Sequence, residues 1–298
     1  PDLEFSIRNL GVICQNKGHY TTAKQFYDRL LNIKNVSEEA KIQKAFFDRH
    51  LCDWAVYRPN LQSIETEQLI EFLAFEDNAK RQHERSVNFS RRFKEEQNVF
   101  IPPKEHPSKI KIGYFSADFY NFPGMFLMAG MLESHDKEKF EIYAFSYGPD
   151  KDDEMRTRIE KAVDKFIDIK DLSDLEVVDL AKSYGIDIAL HRNGYTRASR
   201  NGFFAIRLAP IQINYLGYPG TLGADFIDYI VADEVVIPSQ YEQYYSENII
   251  YLPYSYQPND DKRQIAKDNT QRIDFSLPKY GFVFCCFNNN YKISSLEF

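Results

Sequence analysis

Residues 109–148, KIKIGYFSADFYNFPGMFLMAGMLESHDKEKFEIYAFSYG, decide the fold. The run IGYF (112–115) is continuous enough in apolar residues for a strand buried on both faces, and MFLMAGMLESHD (125–136) carries its apolar residues at helical spacing. FEIYAFSYG (140–148) is a second strand of the same kind. The alternation continues outward through a polar-faced helix in DDEMRTRIEKAV (152–163), a strand in KFIDI (165–169) and a helix in SDLEVVDLAKSYG (173–185), with Ser173 as its N-cap. IDIALHR (186–192), PIQINYLGY (210–218), FIDYIVAD (226–233) and NIIYLP (248–253) are further strands. Buried strands separated by helices predict an α/β fold, a parallel sheet wrapped on both faces that binds ligands beyond the carboxyl ends of its strands.

Residues 1–98 follow different rules, with helical spacing throughout and almost no proline or glycine. IRNLGVICQNKGHYTTAKQFYDRLLNI (7–33) places Ile7, Leu10, Gly11, Cys14, Gly18, Tyr20, Ala23, Tyr27 and Leu30 close to tetratricopeptide spacing, in which small residues let two antiparallel helices approach and large ones fill the gap. Such arrays need about three repeats for stability, so this one reads as the last of a longer series. AFFDRHLCDWAVY (45–57) and EQLIEFLAFEDNAKRQHERSVNFSRRF (67–93) continue as amphipathic helices. Pro102, Pro103 and Pro107 in VFIPPKEHPSK (99–109) then mark a linker.

Composition narrows the function. The chain has 298 residues, 43% hydrophobic and 15% aromatic, enough for a sizeable core. A net charge of −7 with acids and bases interspersed argues against a nucleic-acid partner, and the sequence has no apolar run near the roughly 20 residues that span a bilayer. The N-terminus lacks a signal-peptide pattern, which predicts a cytoplasmic protein. Cys14, Cys52 and the adjacent Cys285 and Cys286 suit neither a zinc site nor a CxxC pair and read as reduced. A start at Pro1 and an end within YKISSLEF suggest a fragment.

LGYPGTLG (216–223) directly follows the strand PIQINY and therefore falls on the ligand-facing edge. Gly217, Gly220 and Gly223 allow close approach of another group to the main chain, and Pro219 fixes the turn. The spacing is not GxGxxG, which argues against a dinucleotide-dependent dehydrogenase.

NGYTRASRNGFFAIRLAPIQINYLGYPGTLGADFIDYIVAD (193–233) resembles the signature of the protein O-linked N-acetylglucosamine transferase family, which includes the SPINDLY-like proteins. The order of parts is similar as well: a terminal tetratricopeptide hairpin, a helical linker with CDW, the entry EHPSKIKIGYFSADF, the glycine-proline loop and FVFCCFNNNYKI. The resemblance covers essentially the whole chain. It implies the GT-B arrangement of two Rossmann-like lobes with a sugar nucleotide between them. The expected parts are a helical hairpin and linker over 1–98, a first catalytic lobe over 99–253, an inter-lobe connection over 254–279, and the start of a truncated second lobe over 280–298. YGFVFCCFNNNYKI (280–293) is expected to open that second lobe as a new buried strand.

The implied chemistry is an inverting transfer of N-acetylglucosamine from UDP-GlcNAc to a Ser or Thr hydroxyl. It requires no metal or other cofactor beyond the UDP-sugar co-substrate. Protein substrates would be presented by the tetratricopeptide-like helices, and a homo-oligomer is compatible with them. By the resemblance Lys292 contacts the departing diphosphate, with Asn289 close by in FNNNYK, and Asp118 faces donor and acceptor, which leaves it as the acceptor's proton relay where the family's histidine is replaced. Asn121, Phe122 and Pro123 face donor and acceptor, Leu216, Gly217 and Pro219 form the sugar-facing wall, and Arg200 helps hold the cleft. One departure stands out. Phe122 occupies a place where the family carries a histidine beside the sugar, and Phe126 a place where some members have another. A linker histidine is also missing, with Glu71 and Phe72 near its expected place and His83 falling too late. His19, His50, His106, His135 and His191 match no family position and read as solvated or core residues. Two readings follow: a protein O-glycosyltransferase fragment, inactive by itself, or a catalytically weakened, repeat-linked binding protein that keeps the fold.

Overall fold

The computed structural model describes residues 2–53, 69–70, 73, 76–93, 108–196, 198–263, 267, 269–289 and 292. The chain divides into two compact units, Pro1–Thr66 with Ala74–Glu76 and Gln264–Phe298, and Glu67–Leu73 with Asp77–Arg263.

In the first unit, helices α1 (Asp2–Asn16), α2 (Tyr20–Leu31) and α3 (Glu38–His50) bury Ile7, Ala23, Tyr27, Leu30, Ala40 and Phe47 against one another. The first two run antiparallel: Tyr27 donates to Gln15 late in α1, while the Ser37 N–H beyond the end of α2 reaches Glu4 near the start of α1. A Cβ on Gly11 would stand 3.1 Å from the Tyr27 ring, so the small residue sets the spacing of the pair. Lys44 is buried and donates to Asp48 at 2.6 Å, one turn along α3. The strand expected at 280–293 is absent from its described residues. Residues 280–289 lie in no strand, and Phe282, Phe284 and Phe287 are exposed. A buried parallel strand needs flanking strands to take its N–H and C=O groups, and no described strand pairs with this segment.

The second unit holds one parallel sheet of seven strands: β1 (Ile110–Ser116), β2 (Phe140–Ser146), β3 (Lys165–Asp168), β4 (Ile188–His191), β5 (Ile211–Asn214), β6 (Tyr229–Ala232) and β7 (Asn248–Tyr251). Their spatial order is β3-β2-β1-β4-β5-β6-β7. Residues alternate across the sheet as the pleat requires. Ile112, Tyr114, Ile142 and Ala144 pack with Met125, Met128, Ala129 and Leu132 of α5 (Pro123–Glu133) and with Met155 and Ile159 of α6 (Glu154–Ala162). Phe115 and Phe145, stacked 4.4 Å apart, face α7 (Asp174–Tyr184) and the short α8 (Gly202–Ile206) on the other side. The fold is therefore doubly wound. Ser173 caps α7 in a reciprocal capping box with Glu176, and Gly185 closes the helix at φ 66°. Upstream, the segment expected as one helix over 67–93 breaks at 76–78, where the Asn78 side chain accepts from the Arg81 N–H and starts α4 (Ala79–Ser90).

Candidate functional site

The chain leaves β1 toward β2 on one side, while β4 lies on the other, so the sheet's switch point falls between the carboxyl ends of β1 and β4. Asp118 sits there, 5% exposed, two residues past β1. Its Oδ2 receives the Arg192 guanidinium in an ion pair and the Asn193 side-chain amide at 2.8 Å, both from the end of β4. Asn193 Oδ1 in turn gathers Ser116 Oγ at 3.1 Å, the Ala117 N–H at 3.0 Å and the Tyr147 hydroxyl at 3.0 Å. The turn after β1 is thus held by residues from the ends of β2 and β4. Burial raises the Tyr147 hydroxyl far above its usual pKa, with Asp118 adding to the effect, so it remains a donor. Burial also pushes the Arg192 guanidinium down, against the pull of Asp118.

Phe122, half-buried, caps the start of α5, and its ring lies 5.4 Å from the Arg192 guanidinium. Asn121 and Pro123 on either side are exposed. The Asn121 N–H donates to Asp153 Oδ2 at 2.9 Å, while Asp153 Oδ1 caps α6 through the Arg156 N–H. Leu216 and Gly217 are half-buried and Pro219 is exposed. Leu216 stands at φ 83°, and the Gly217 N–H donates to the Arg192 carbonyl at 2.9 Å. A Cβ on Gly217 would lie 2.2 Å from that oxygen, so the bare backbone is required by the protein's own main chain.

Asp118, Asn121, Phe122, Pro123 and Gly217 therefore lie on or bonded to the turns around Arg192. Arg200 points elsewhere. Its guanidinium donates to the carbonyls of Ile169 and Leu172 and to Asp174, and so ties the start of α7 to the segment before α8. Asn289 and Lys292 belong to the other unit, where both are exposed and the Lys292 N–H donates to the Asn289 carbonyl at 3.0 Å. Of the histidines, His191 is a core residue. It stacks 4.2 Å from Phe204, its Nε2 meets Asn201 Oδ1 at 2.7 Å, and burial lowers its pKa to about 4, which leaves it neutral. His135 bonds Tyr114, and His83 bonds Ser246. His106, Glu71 and Phe72 lie outside the described residues.

Sequence reasoning missed Arg192, Asn193 and Tyr147. The signal for the first two was a cation and an amide set directly at the carboxyl end of an apolar strand, in ALHRN (189–193), where a parallel sheet binds ligands.

Such a fold, with polar residues converging on the carboxyl edge of β1 and β4, defines a doubly wound α/β lobe whose candidate site lies at the switch point of its sheet. Residues 91–273 match Glycosyl transferase family 41, and the chain belongs to that family. A probable UDP-N-acetylglucosamine–peptide N-acetylglucosaminyltransferase, SEC, of Arabidopsis thaliana is 36% identical over 209 residues, 65% of this chain and 21% of the plant protein. The UDP-N-acetylglucosamine–peptide N-acetylglucosaminyltransferase of Caenorhabditis elegans is 32% identical over 153 residues, 51% of this chain and 13% of its own. The matched stretches thus span about a fifth or less of these relatives. Among solved structures, a mutant O-GlcNAc transferase of Thermobaculum terrenum superposes with a TM-score of 0.70 at 22% identity, covering 90% of this chain and 55% of that one. This last likeness supports the fold.

Proposed function

We propose that the chain is part of a protein O-glycosyltransferase that moves N-acetylglucosamine from UDP-GlcNAc to Ser or Thr hydroxyls of proteins. The observation that carries this reading is the buried Asp118 at the switch point of the sheet, within the stretch that matches the family. The relatives' names supply the donor and the peptide acceptor.

The acceptor oxygen forms its bond to the anomeric carbon as the bond from that carbon to the β-phosphate oxygen breaks, which inverts the centre. The hydroxyl proton passes to Asp118, and the electron pair departs with UDP. Lys292 neutralises the leaving diphosphate as a compact ammonium charge, so the reaction as written calls for no metal. Leu216, Gly217 and Pro219 wall the sugar, and the α1–α2 hairpin takes part in presenting polypeptide. No helix among the described residues is long and apolar enough to cross a membrane, which is compatible with work on cytoplasmic proteins.

The test is transfer of labelled N-acetylglucosamine from UDP-GlcNAc to a Ser/Thr peptide set by the complete protein and its Asp118→Asn variant. Label on peptide that falls by about 100-fold or more in the variant supports the reading. The second reading, a binding protein with weakened chemistry, is favoured by one observation, the phenylalanine ring of Phe122 beside the Arg192 that pairs with Asp118. UDP affinity without any transfer would select it.

A further inference from the structure

We propose that Arg192 is a positioning residue for Asp118: it fixes which carboxylate oxygen faces a ligand at the edge of β1 and β4, and ties that orientation to the turn at Leu216 and Gly217. The inference rests on the reading of Asp118 as the group that receives the acceptor's proton.

Stability does not account for the arginine. It ends a buried strand, its side chain is 4% exposed, and its Nε–H is buried with no acceptor among the described residues. An ion pair taken out of water loses in desolvation much of what it gains in attraction, and an orphan donor adds to the loss. Apolar residues in place of both the arginine and the aspartate would meet the needs of the core at least as well.

The protein nevertheless makes room for it. A Cβ on Gly124 would stand 1.5 Å from Arg192 Nη2, so the first turn of α5 accepts the guanidinium only because that residue is glycine. The Phe122 ring lies 5.4 Å from the guanidinium carbon, within cation–π range. The Arg192 carbonyl accepts from Gly217 at 2.9 Å, an approach that a Cβ on Gly217 would block. One residue therefore touches the turn after β1, the start of α5 and the turn after β5.

The effect on Asp118 is directional. Arg192 and Asn193 both bind Oδ2, and Oδ1 carries no hydrogen bond among the described residues. A carboxylate held through one oxygen by two neighbours cannot turn about its Cβ–Cγ bond without breaking both contacts. Oδ1 is thereby presented as the acceptor for a hydroxyl proton.

The test uses the complete protein with UDP-GlcNAc and a serine peptide, in five forms: wild type, Arg192→Met, Arg192→Lys, Asp118→Asn, and Arg192→Met with Asp118→Asn. Misorientation of a catalytic group costs about 10- to 100-fold, so Arg192→Met lowers kcat by that factor. The KM for donor stays within about twofold, since ground-state binding is untouched. Arg192→Lys recovers part of the loss. The double variant is no slower than Asp118→Asn alone, because Arg192 then has nothing to orient. An unchanged kcat in Arg192→Met, or a double variant slower than Asp118→Asn by the full Arg192→Met factor, overturns the proposal. If Asp118→Asn keeps the wild-type rate while Arg192→Met does not, the reading of Asp118 falls and Arg192 acts in its own right. Thermal unfolding of each form identifies loss of fold. Should Arg192→Met not fold, its buried carboxylate having lost its countercharge, Arg192→Lys supplies the kcat and KM comparison: wild-type kcat there overturns the proposal, and a lowered kcat at unchanged KM supports it.

Discussion

Glu247 and Thr221 meet at 2.6 Å between a buried carboxylate and a buried hydroxyl, and the other Glu247 oxygen accepts the Leu222 N–H at 2.7 Å. A residue from the start of β7 thus holds the inner half of the glycine-proline loop, whose outer half carries Leu216, Gly217 and Pro219. Thr221 passes the restraint on by accepting the N–H groups of Gly223 and Ser246.

Glu247→Ala leaves a buried N–H and a buried hydroxyl without their acceptor and should destabilise the unit by about 2–4 kcal/mol in urea unfolding. Glu247→Gln keeps one acceptor and should cost less than half as much. Burial raises the Glu247 carboxyl above its usual pKa. A raised folded-state pKa gives stability that is present below the unfolded value and lost as the pH rises through the folded one. The stability gap between wild type and Glu247→Gln should therefore narrow, or reverse, as the pH is raised from 4 to 8. A gap that widens over that range would show the carboxylate to be the preferred form.

Gly217→Ala would set a methyl 2.2 Å from the Arg192 carbonyl. The turn must shift and the Gly217 to Arg192 bond must lengthen, at a cost of about 1–3 kcal/mol. Gly220→Ala is the matched control, since its methyl meets only the Tyr218 ring at 3.0 Å. Thermal unfolding of the two variants should put Gly217→Ala several degrees below Gly220→Ala, and equal midpoints would refute the assignment.

What the sequence discloses depends on how far apart the interacting residues stand along the chain. The doubly buried strand at IGYF, the Ser173 cap and the packing of Gly11 against Tyr27 are local or nearly so, and each is legible. The positions of Asp118, Phe122 and Gly217 at strand ends follow from the strand pattern. The pairing of Asp118 with Arg192 does not, because it needs β1 and β4 side by side with two other strands between them in sequence. The clasp of Glu247 on Thr221 is hidden for the same reason. The segment 280–289 shows the converse error: an apolar run has a strand's composition, yet a strand forms only where neighbours accept its backbone.

Glu133 of α5, Arg158 of α6 and the later residues Asp260 and Lys262 form a network that fastens the segment following β7 to both helices. The hydrogen bonds from Arg158 above all, with that from Lys262, hold the Glu133 carboxyl at about 2, below its usual 4.5, against the opposing effect of burial. A depressed folded-state pKa gives stability that is complete above the unfolded value and is lost as the pH falls through the folded one. Glu133→Gln should therefore lower the unfolding midpoint at pH 7, and the difference from wild type should shrink between pH 4.5 and 2. A difference independent of pH would mean that the network adds nothing through charge.

Lys292→Ala in the complete protein removes the charge assigned to the leaving diphosphate and should slow transfer by about 100- to 1000-fold, with the unfolding midpoint unchanged because Lys292 is exposed. Undiminished turnover would remove Lys292 from the mechanism.

Phe122→His tests whether the ring beside Arg192 limits the reaction. The side chain caps α5 without a hydrogen bond of its own, so the exchange breaks none. An imidazole placed about 5 Å from a guanidinium would have its charged form disfavoured, and so would stay neutral and able to accept a proton at pH 7. A well-placed general base contributes about 100- to 10,000-fold. If the proton now passes through Asp118 alone, Phe122→His should raise kcat, and the gain should persist in Phe122→His combined with Asp118→Asn. If kcat is unchanged in the single variant and lost in the double, Asp118 with its arginine suffices and the phenylalanine is no handicap.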